Sequence, residues 1–482
     1  MYRTIRVVFI LFGISWGIRA QAKTVADPDD ALNSLASIGD SLNAPDHHPV
    51  HILYVPGIGQ VSAGGSALLR NSICTRLRLC AASDWKNAGV EFADKGEFSP
   101  DVQPPTLEYL GAPVWRNEQE WQAAAPFVVH WVVHLRNHPS PLVLDEINWW
   151  PLMLSIKCRH LVAPEAKLAG PSRDLLAVCS QPAGQSLNGS GRSYPWLSAD
   201  EAQKLGAIPP HAVLLNRTLK QSLIDWELAD VLMAVGQMSG ILRDGVRQLM
   251  AKSAAFDPFA AASPAANAAS EKYDWRSQLN SDKTLDQEFV GVGHSLGSYL
   301  LFNALSVEDF SDAAASQSDQ VRLTAERDAV RYIFERTTLV YCLANQFAML
   351  EVTNLENPPQ NAGGFTSRGL APPPAISTAS AANLRSLVNR WQDLQTGFQT
   401  AIHAENQGER RKVQLVAFSD PSDVLTWRVP RIGDVGVVNI YVQDAPHWFW
   451  LFEAPGAAHS DYAENKAVLR VMFANARPVA TH

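Results

Sequence analysis

The chain predicts an α/β fold, with helices layered on both faces of a mostly parallel central sheet, three layers in all. Three observations carry that reading. Short apolar runs rich in β-branched residues alternate along the chain with longer segments of helical period. The first such run leads into a glycine loop and then a helix, the opening of an α/β unit. A later run ends in a glycine-framed turn that opens directly into an apolar helix.

Taken in order, His51 to Val55 reads as a strand, Pro56-Gly57-Ile58-Gly59-Gln60 as a tight loop and Ala67 to Leu79 as a helix. Asn117 to Arg136 reads as a helix and Leu142 to Ile147 as a further strand. The surrounding segment, residues 100–215 in round terms, is otherwise irregular and rich in Trp, Pro and Gly, so it reads as a large insertion over the core. Its tryptophans (Trp115, Trp121, Trp131, Trp149, Trp150, Trp196) either pack that insertion or line an apolar pocket. Asn216 to Ala251 has one long helical period, with Leu223, Leu228, Val231, Leu232, Val235 and Met238 on one side. Residues 254–270, low in complexity and rich in Ala, Ser and Pro, read as a surface loop. Glu288 to Val292, Thr337 to Cys342, Val413 to Phe418 and Val435 to Val442 are strands. Ser298 to Leu305, Ala381 to His403 and Asp461 to Phe473 read as helices, the last with Ser460 as its expected cap.

The ends and the charge narrow the class. Met1 to Arg6 is basic, Val7 to Ile18 apolar, and Ala20-Gln21-Ala22 has the form of a cleavage site. Residues 1–22 therefore read as a signal peptide, with an uncleaved signal anchor as the alternative, and the protein as secreted or periplasmic. Residues 23–48 read as a flexible arm, and 49–475 as the folded domain. A net charge of −8 gives no basic face for nucleic acid or for an anionic membrane. Once the signal is cleaved, no other stretch has the length of a membrane span. Of the five cysteines, the expected pairs are Cys74–Cys80 and Cys158–Cys179, with Cys342 buried and free on a strand; the alternative is five unpaired thiols. No zinc spacing occurs, and His47-His48-x-x-His51 lies in a polar arm beside a strand, so no metal site is expected.

Gly293-His294-Ser295-Leu296-Gly297 carries the chemistry. A serine on a sharp strand-to-helix turn is held in a strained conformation, and glycines at 293 and 297 leave room for it. The helix then points its positive end at the hydroxyl. The same stretch almost spells a dinucleotide fingerprint from Gly291, but Leu296 stands at the third glycine position. A serine hydroxyl needs an imidazole to accept its proton and a carboxylate to orient that imidazole. The loop after Phe418 offers Asp423, with Asp420 as the alternative acid, placed before a proline where it can serve the turn instead. His459 stands among small neighbours before the last helix. His447, beside Trp448-Phe449-Trp450, is the alternative base. An oxyanion needs two N–H donors, and the candidates are Leu296 and, in the first loop, Gly57 or Ile58.

These residues resemble the serine esterase and lipase branch of the α/β-hydrolase superfamily. Gly293-His294-Ser295-Leu296-Gly297 is similar to the lipase elbow, and Pro56-Gly57-Ile58-Gly59 resembles the family's His-Gly oxyanion loop with Pro56 in place of the histidine. The order of Ser295, Asp423 and His459 matches the family's. The resemblance covers residues 50–80 and 285–475 in round terms, and leaves 100–215 uncovered. It implies an acyl-enzyme, hydrolysis by water, no metal or organic cofactor, and a small-molecule ester or lipid as substrate. The aromatic-rich segments favour an apolar acyl group; thioesters and amides use the same machinery. The rival from another class is a hydrolase-like binding or scaffold protein whose insertion blocks the site.

Overall fold

The computed structural model describes residues 35–44, 48–58, 65–93, 125–158, 179, 229–261, 287–305, 317–347, 414–429, 436–442 and 459–476, apart from isolated positions within them. The proposed signal segment, the helix expected at 381–403, the loop at 357–380, His447, Ser460 and three of the six tryptophans (Trp115, Trp121, Trp196) lie outside the described residues. The described strands are β1 (Val50–Val55), β2 (Lys86–Phe92), β3 (Phe127–His134), β4 (Pro141–Asn148), β5 (Glu288–His294), β6 (Thr337–Leu343), β7 (Gln414–Ser419) and β8 (Gly436–Tyr441). The helices are α1 (Ile38–Leu42), α2 (Ala67–Leu77), α3 (Trp150–Lys157), α4 (Ala229–Val235), α5 (Ser239–Ala255), α6 (Pro258–Ala261), α7 (Leu296–Leu305), α8 (Gln317–Arg336) and α9 (Lys466–Met472).

All eight strands form one sheet in the order β2-β3-β4-β1-β5-β6-β7-β8. Every pair from β4 to β8 is parallel, and β3 runs antiparallel to both β2 and β4. The protein is thus of the α/β class, with a mixed, mostly parallel sheet. The central strands β1 and β4 are buried at every position, Asp145, Glu146 and Asn148 of β4 included, so neither shows an alternation of buried and exposed residues. Leu53, Val55 and Phe289 join residues of α3, α5, α7 and α8 in the main core cluster on one face. On the other face the Tyr341 hydroxyl donates to the Met472 carbonyl of α9. Helix α7 is buried along its whole length, as an apolar-all-round helix must be.

Both expected disulfides form, Cys74–Cys80 and Cys158–Cys179, and Cys342 is free and buried on β6. Other expectations are corrected. Phe127–His134 is a strand, not part of a helix over 117–136, because a β-branched run of eight residues flanked by sheet neighbours pairs on both edges. Residues 127–157 of the supposed insertion therefore belong to the core, and the strand β2 was not foreseen. The period over 216–251 does not continue as one helix, since α4 ends at Val235 before Gly236 and α5 starts at Ser239. Its C-terminal turn and α6 replace the start of the supposed surface loop at 254–270.

The supposed arm is also folded from Ser37 onward. Ser37 and Asp40 form a reciprocal capping box at the start of α1, and Ile38 and Leu42 are buried. The Ser37 hydroxyl donates to the Ala474 carbonyl (2.5 Å), Asn43 donates to the Asn475 carbonyl (2.8 Å), and the Asn475 amide donates to Asp40 (2.9 Å). The last helix begins later than expected. A 3₁₀ turn occupies Asp461–Glu464, and Asn465 caps α9 by accepting from the Ala467 and Val468 N–H groups.

His51 takes part in a buried polar cluster at the other end of β1. The Asp145 carboxylate accepts from the Nδ1 of His51 (2.7 Å) and of His130 (2.6 Å), and His130 stacks on Phe256. Among the described residues, no group of three or more His, Cys, Asp or Glu is placed to hold a metal ion. Burial lowers the His130 imidazole, but hydrogen bonds and charge from Asp145 and Glu91 outweigh it and raise it from 6.5 to about 9. Burial raises the Asp145 carboxyl, and the two histidines outweigh that and hold it below 3.8. Stability from His130 is complete below pH 6.5 and is lost as pH rises through 9. Stability from Asp145 is present above pH 3.8 and is lost as pH falls through its lower folded value. Urea denaturation across pH should show both contributions complete between 3.8 and 6.5 and a decline toward 9. His130→Gln should flatten that alkaline limb, and an unchanged limb in the variant refutes the assignment.

Candidate active site

Ser295 sits at the end of β5 with φ 53, in the left-handed region that L-residues avoid. Its strain is held by neighbours on every side. The Ser295 N–H donates to the Leu343 carbonyl of β6 (2.7 Å), and the Ser298 hydroxyl donates to the Gly293 carbonyl (2.9 Å). A Cβ on Gly293 would lie 2.4 Å from Ser298 Cα, and one on Gly297 would lie 2.1 Å from the Val55 carbonyl oxygen. The two glycines of the motif are therefore required by packing of the turn against its own helix and against β1.

Ser295, His459 and Asp423 come together. His459 Nε2 is 2.8 Å from Ser295 Oγ, and His459 Nδ1 is 2.9 Å from Asp423 Oδ2. These are hydrogen-bond distances in a chain from carboxylate to imidazole to hydroxyl. Asp423 follows β7 and is fixed by three further donors: the Leu425 N–H (2.9 Å), the Thr426 hydroxyl and the Tyr462 hydroxyl (3.4 Å). Burial raises the Asp423 carboxyl, but hydrogen bonds from His459, Thr426 and Leu425 and the charge of His459 outweigh it, so it stays below the usual carboxylate range. An ionised carboxylate at that place holds a proton on Nδ1 and leaves the Nε2 lone pair facing the serine. Asp420 is buried but serves the turn: its carbonyl accepts the Asp423 N–H (3.1 Å) and its N–H donates to the Tyr462 hydroxyl (2.6 Å).

Leu296 opens α7, fully buried, directly after the serine. Gly57 packs against the serine itself, since a Cβ there would lie 2.8 Å from Ser295 Cβ and 2.8 Å from His294 Nδ1. Ile58 follows, half-buried against the main core cluster. Two residues from one end of β4 pin the loop that holds them. Trp149 Nε1–H donates to the Pro56 carbonyl (2.9 Å), and the Glu146 carboxylate accepts from the Gly65 N–H (3.0 Å), the Ser66 N–H (3.3 Å) and the Ser66 hydroxyl (2.5 Å). Three of the tryptophans expected in the insertion are thereby accounted for: Trp149 and Trp150 join the main core, and Trp131 of β3 lies under the Arg70 guanidinium at 3.5 Å.

His294 was not singled out by the sequence reading. Its Nε2–H donates to the His459 carbonyl (2.9 Å), and the two rings are 5.5 Å apart. Burial, and then the proximity of His459, lower its imidazole to about 4. A ring that is neutral at neutral pH adds no positive charge beside the catalytic-site candidates. Tyr462 and Thr426 were missed likewise; only their nearness in sequence to His459 and Asp423 marked them. Comparison of the chain with family models, with curated proteins and with solved structures finds no match.

Proposed function

We propose that the protein is a serine hydrolase of the α/β-hydrolase fold, exported by its N-terminal segment, that cleaves carboxylic esters. The observation that carries this reading is the unbroken chain Asp423–His459–Ser295 ending on a strained serine at the head of a buried helix. His459 takes the Ser295 proton as the hydroxyl attacks the ester carbonyl, and returns it to the leaving alcohol. The acyl group then sits on Ser295 Oγ until water, deprotonated by His459, releases it as an acid. Asp423 stabilises the imidazolium formed in both steps. The N–H groups of Leu296 and of Gly57 or Ile58 receive the oxyanion, and the tight seat of Gly57 against Ser295 supports that role. Thioester and amide substrates fit the same chemistry.

The test is labelling of the purified protein with a fluorophosphonate, with the adduct mapped by mass spectrometry. The expected result is a phosphonate on Ser295, absent in Ser295→Ala and slowed in His459→Ala. A folded protein that takes no label refutes the enzyme reading and favours a blocked-site binding protein.

A further inference from the structure

The C-terminal ends of the strands hold a second group of polar side chains that the triad does not use. Strand β6 ends at Leu343, whose carbonyl accepts the Ser295 N–H. Ala344 follows with φ 50, a left-handed turn at a non-glycine residue. The next two residues are Asn345 and Gln346, with 0% and 1% of their surfaces exposed. Neither end of either amide has a hydrogen-bond partner: Asn345 Oδ1 and Nδ2 and Gln346 Oε1 and Nε2 are all unpaired. The β6–β7 register aligns Leu343 with Phe418, so Ser419 comes level with Ala344, and its hydroxyl is buried and unpaired too.

Five unpaired polar atoms on three residues at the ends of two adjacent strands are unusual. Buried polar side chains are satisfied as a rule, so a cluster of exceptions calls for a partner from outside the chain, whether ordered water, an ion or a ligand. In parallel α/β sheets ligands bind at the carboxyl end of the strands. Chain reach puts the Asn345 Cα within about 7 Å of the Leu343 Cα, and Leu343 touches the serine backbone. Phe347, stacked edge-on to Phe302 of α7 at 5.1 Å, anchors the chain just beyond. The chemistry of the group is specific. Amides and a hydroxyl offer donors and acceptors together, and none of the three carries a charge. They suit a neutral group that both donates and accepts, which a bare alkyl chain does not do and an anion does only in part.

We propose that Asn345, Gln346 and Ser419 form a specificity pocket beside Ser295 for hydroxyl groups, so that the preferred substrates are hydroxylated esters. This inference rests on the serine-hydrolase reading and differs from the apolar acyl preference expected from the sequence. Of the aromatic residues behind that preference, Trp149 and Trp150 pack in the core, Trp131 lies under Arg70, and the rest lie outside the described residues.

Paired substrates test it with the full-length protein. One arm compares p-nitrophenyl butyrate with p-nitrophenyl 3-hydroxybutyrate, which places the hydroxyl on the acyl side. The other compares ethyl butyrate with glyceryl monobutyrate, which places it on the alcohol side. A site built to hydrogen-bond a hydroxyl should favour the hydroxylated member of one arm by about 10²-fold or more in kcat/KM. In Asn345→Leu and in Gln346→Met that ratio should fall toward unity. Equal or reversed rates in both arms with the native protein overturn the pocket. So does a ratio that survives both substitutions in protein that still labels with fluorophosphonate. If the native protein does not label at Ser295, the hydrolase reading itself fails, which separates the two failures.

Discussion

Ser295→Ala is expected to lower kcat on a responsive ester by about 10⁵–10⁶-fold, and adding His459→Ala should cost nothing further. The reason lies in the geometry. Ser295 Oγ and His459 Nε2 are 2.8 Å apart, and on the hydrolase reading each acts only through the other, so once one is gone the second has no proton to move. Asp423→Asn should cost less, on the order of 10⁴-fold, because the ring keeps its place but loses the carboxylate that selects its tautomer. Thr426 and Tyr462 would then face a neutral amide where they now donate to a carboxylate. Steady-state kinetics on the three single variants and the Ser295→Ala/His459→Ala double variant decide the matter. Losses that multiply in the double variant would show that the two residues do not work as a unit.

Gly297→Ala is expected to be strongly damaging for a single-methyl addition, on the order of 4 kcal/mol or more in unfolding free energy. The added carbon would lie 2.1 Å from the Val55 carbonyl oxygen and 2.5 Å from that of Pro56. Both are backbone atoms at the end of a fully buried strand, so neither can swing aside. The Pro56 carbonyl also accepts from Trp149, and displacing it would move Gly57 away from Ser295. Gly245→Ala in α5 is the control. Its new carbon meets only the Pro126 and Leu152 side chains, at 3.2 and 3.5 Å. The change also improves helix propensity, so it should shift stability by no more than about 1 kcal/mol in either direction. Chemical denaturation of both variants measures the contrast, and similar losses would refute it.

The elbow was legible because its demands are local. Two glycines, a serine and an apolar helix lie within a dozen residues, and the strain they relieve is a property of one turn. The loops holding Asp423 and His459 could be found for a related reason, since each immediately follows or precedes a recognisable element. What the sequence hid depends on distant partners. The run Phe127 to His134 is apolar at nearly every position, which suits a buried helix as well as a strand, and only pairing with β2 and β4 decides between them. Asp145 and Glu146 look like surface charges, yet one bridges two histidines and the other grips the start of α2. Ser37 looked like part of a loose arm because its dock is 437 residues away. His294 sat inside the motif itself, but its role needs the His459 carbonyl, 165 residues downstream.

The tie between α1 and residues 474 and 475 sets an order of events during synthesis. The ribosome releases Ser295 long before His459, 164 residues later, and α1 waits longer still for its dock. On the hydrolase reading, a nascent chain carries a nucleophile without its base, and so it is chemically silent while it is being made. A product terminated before residue 474 would lack the contacts that seat α1. Activity and the seating of α1 would then arrive close together, once residues 459 to 475 have been made.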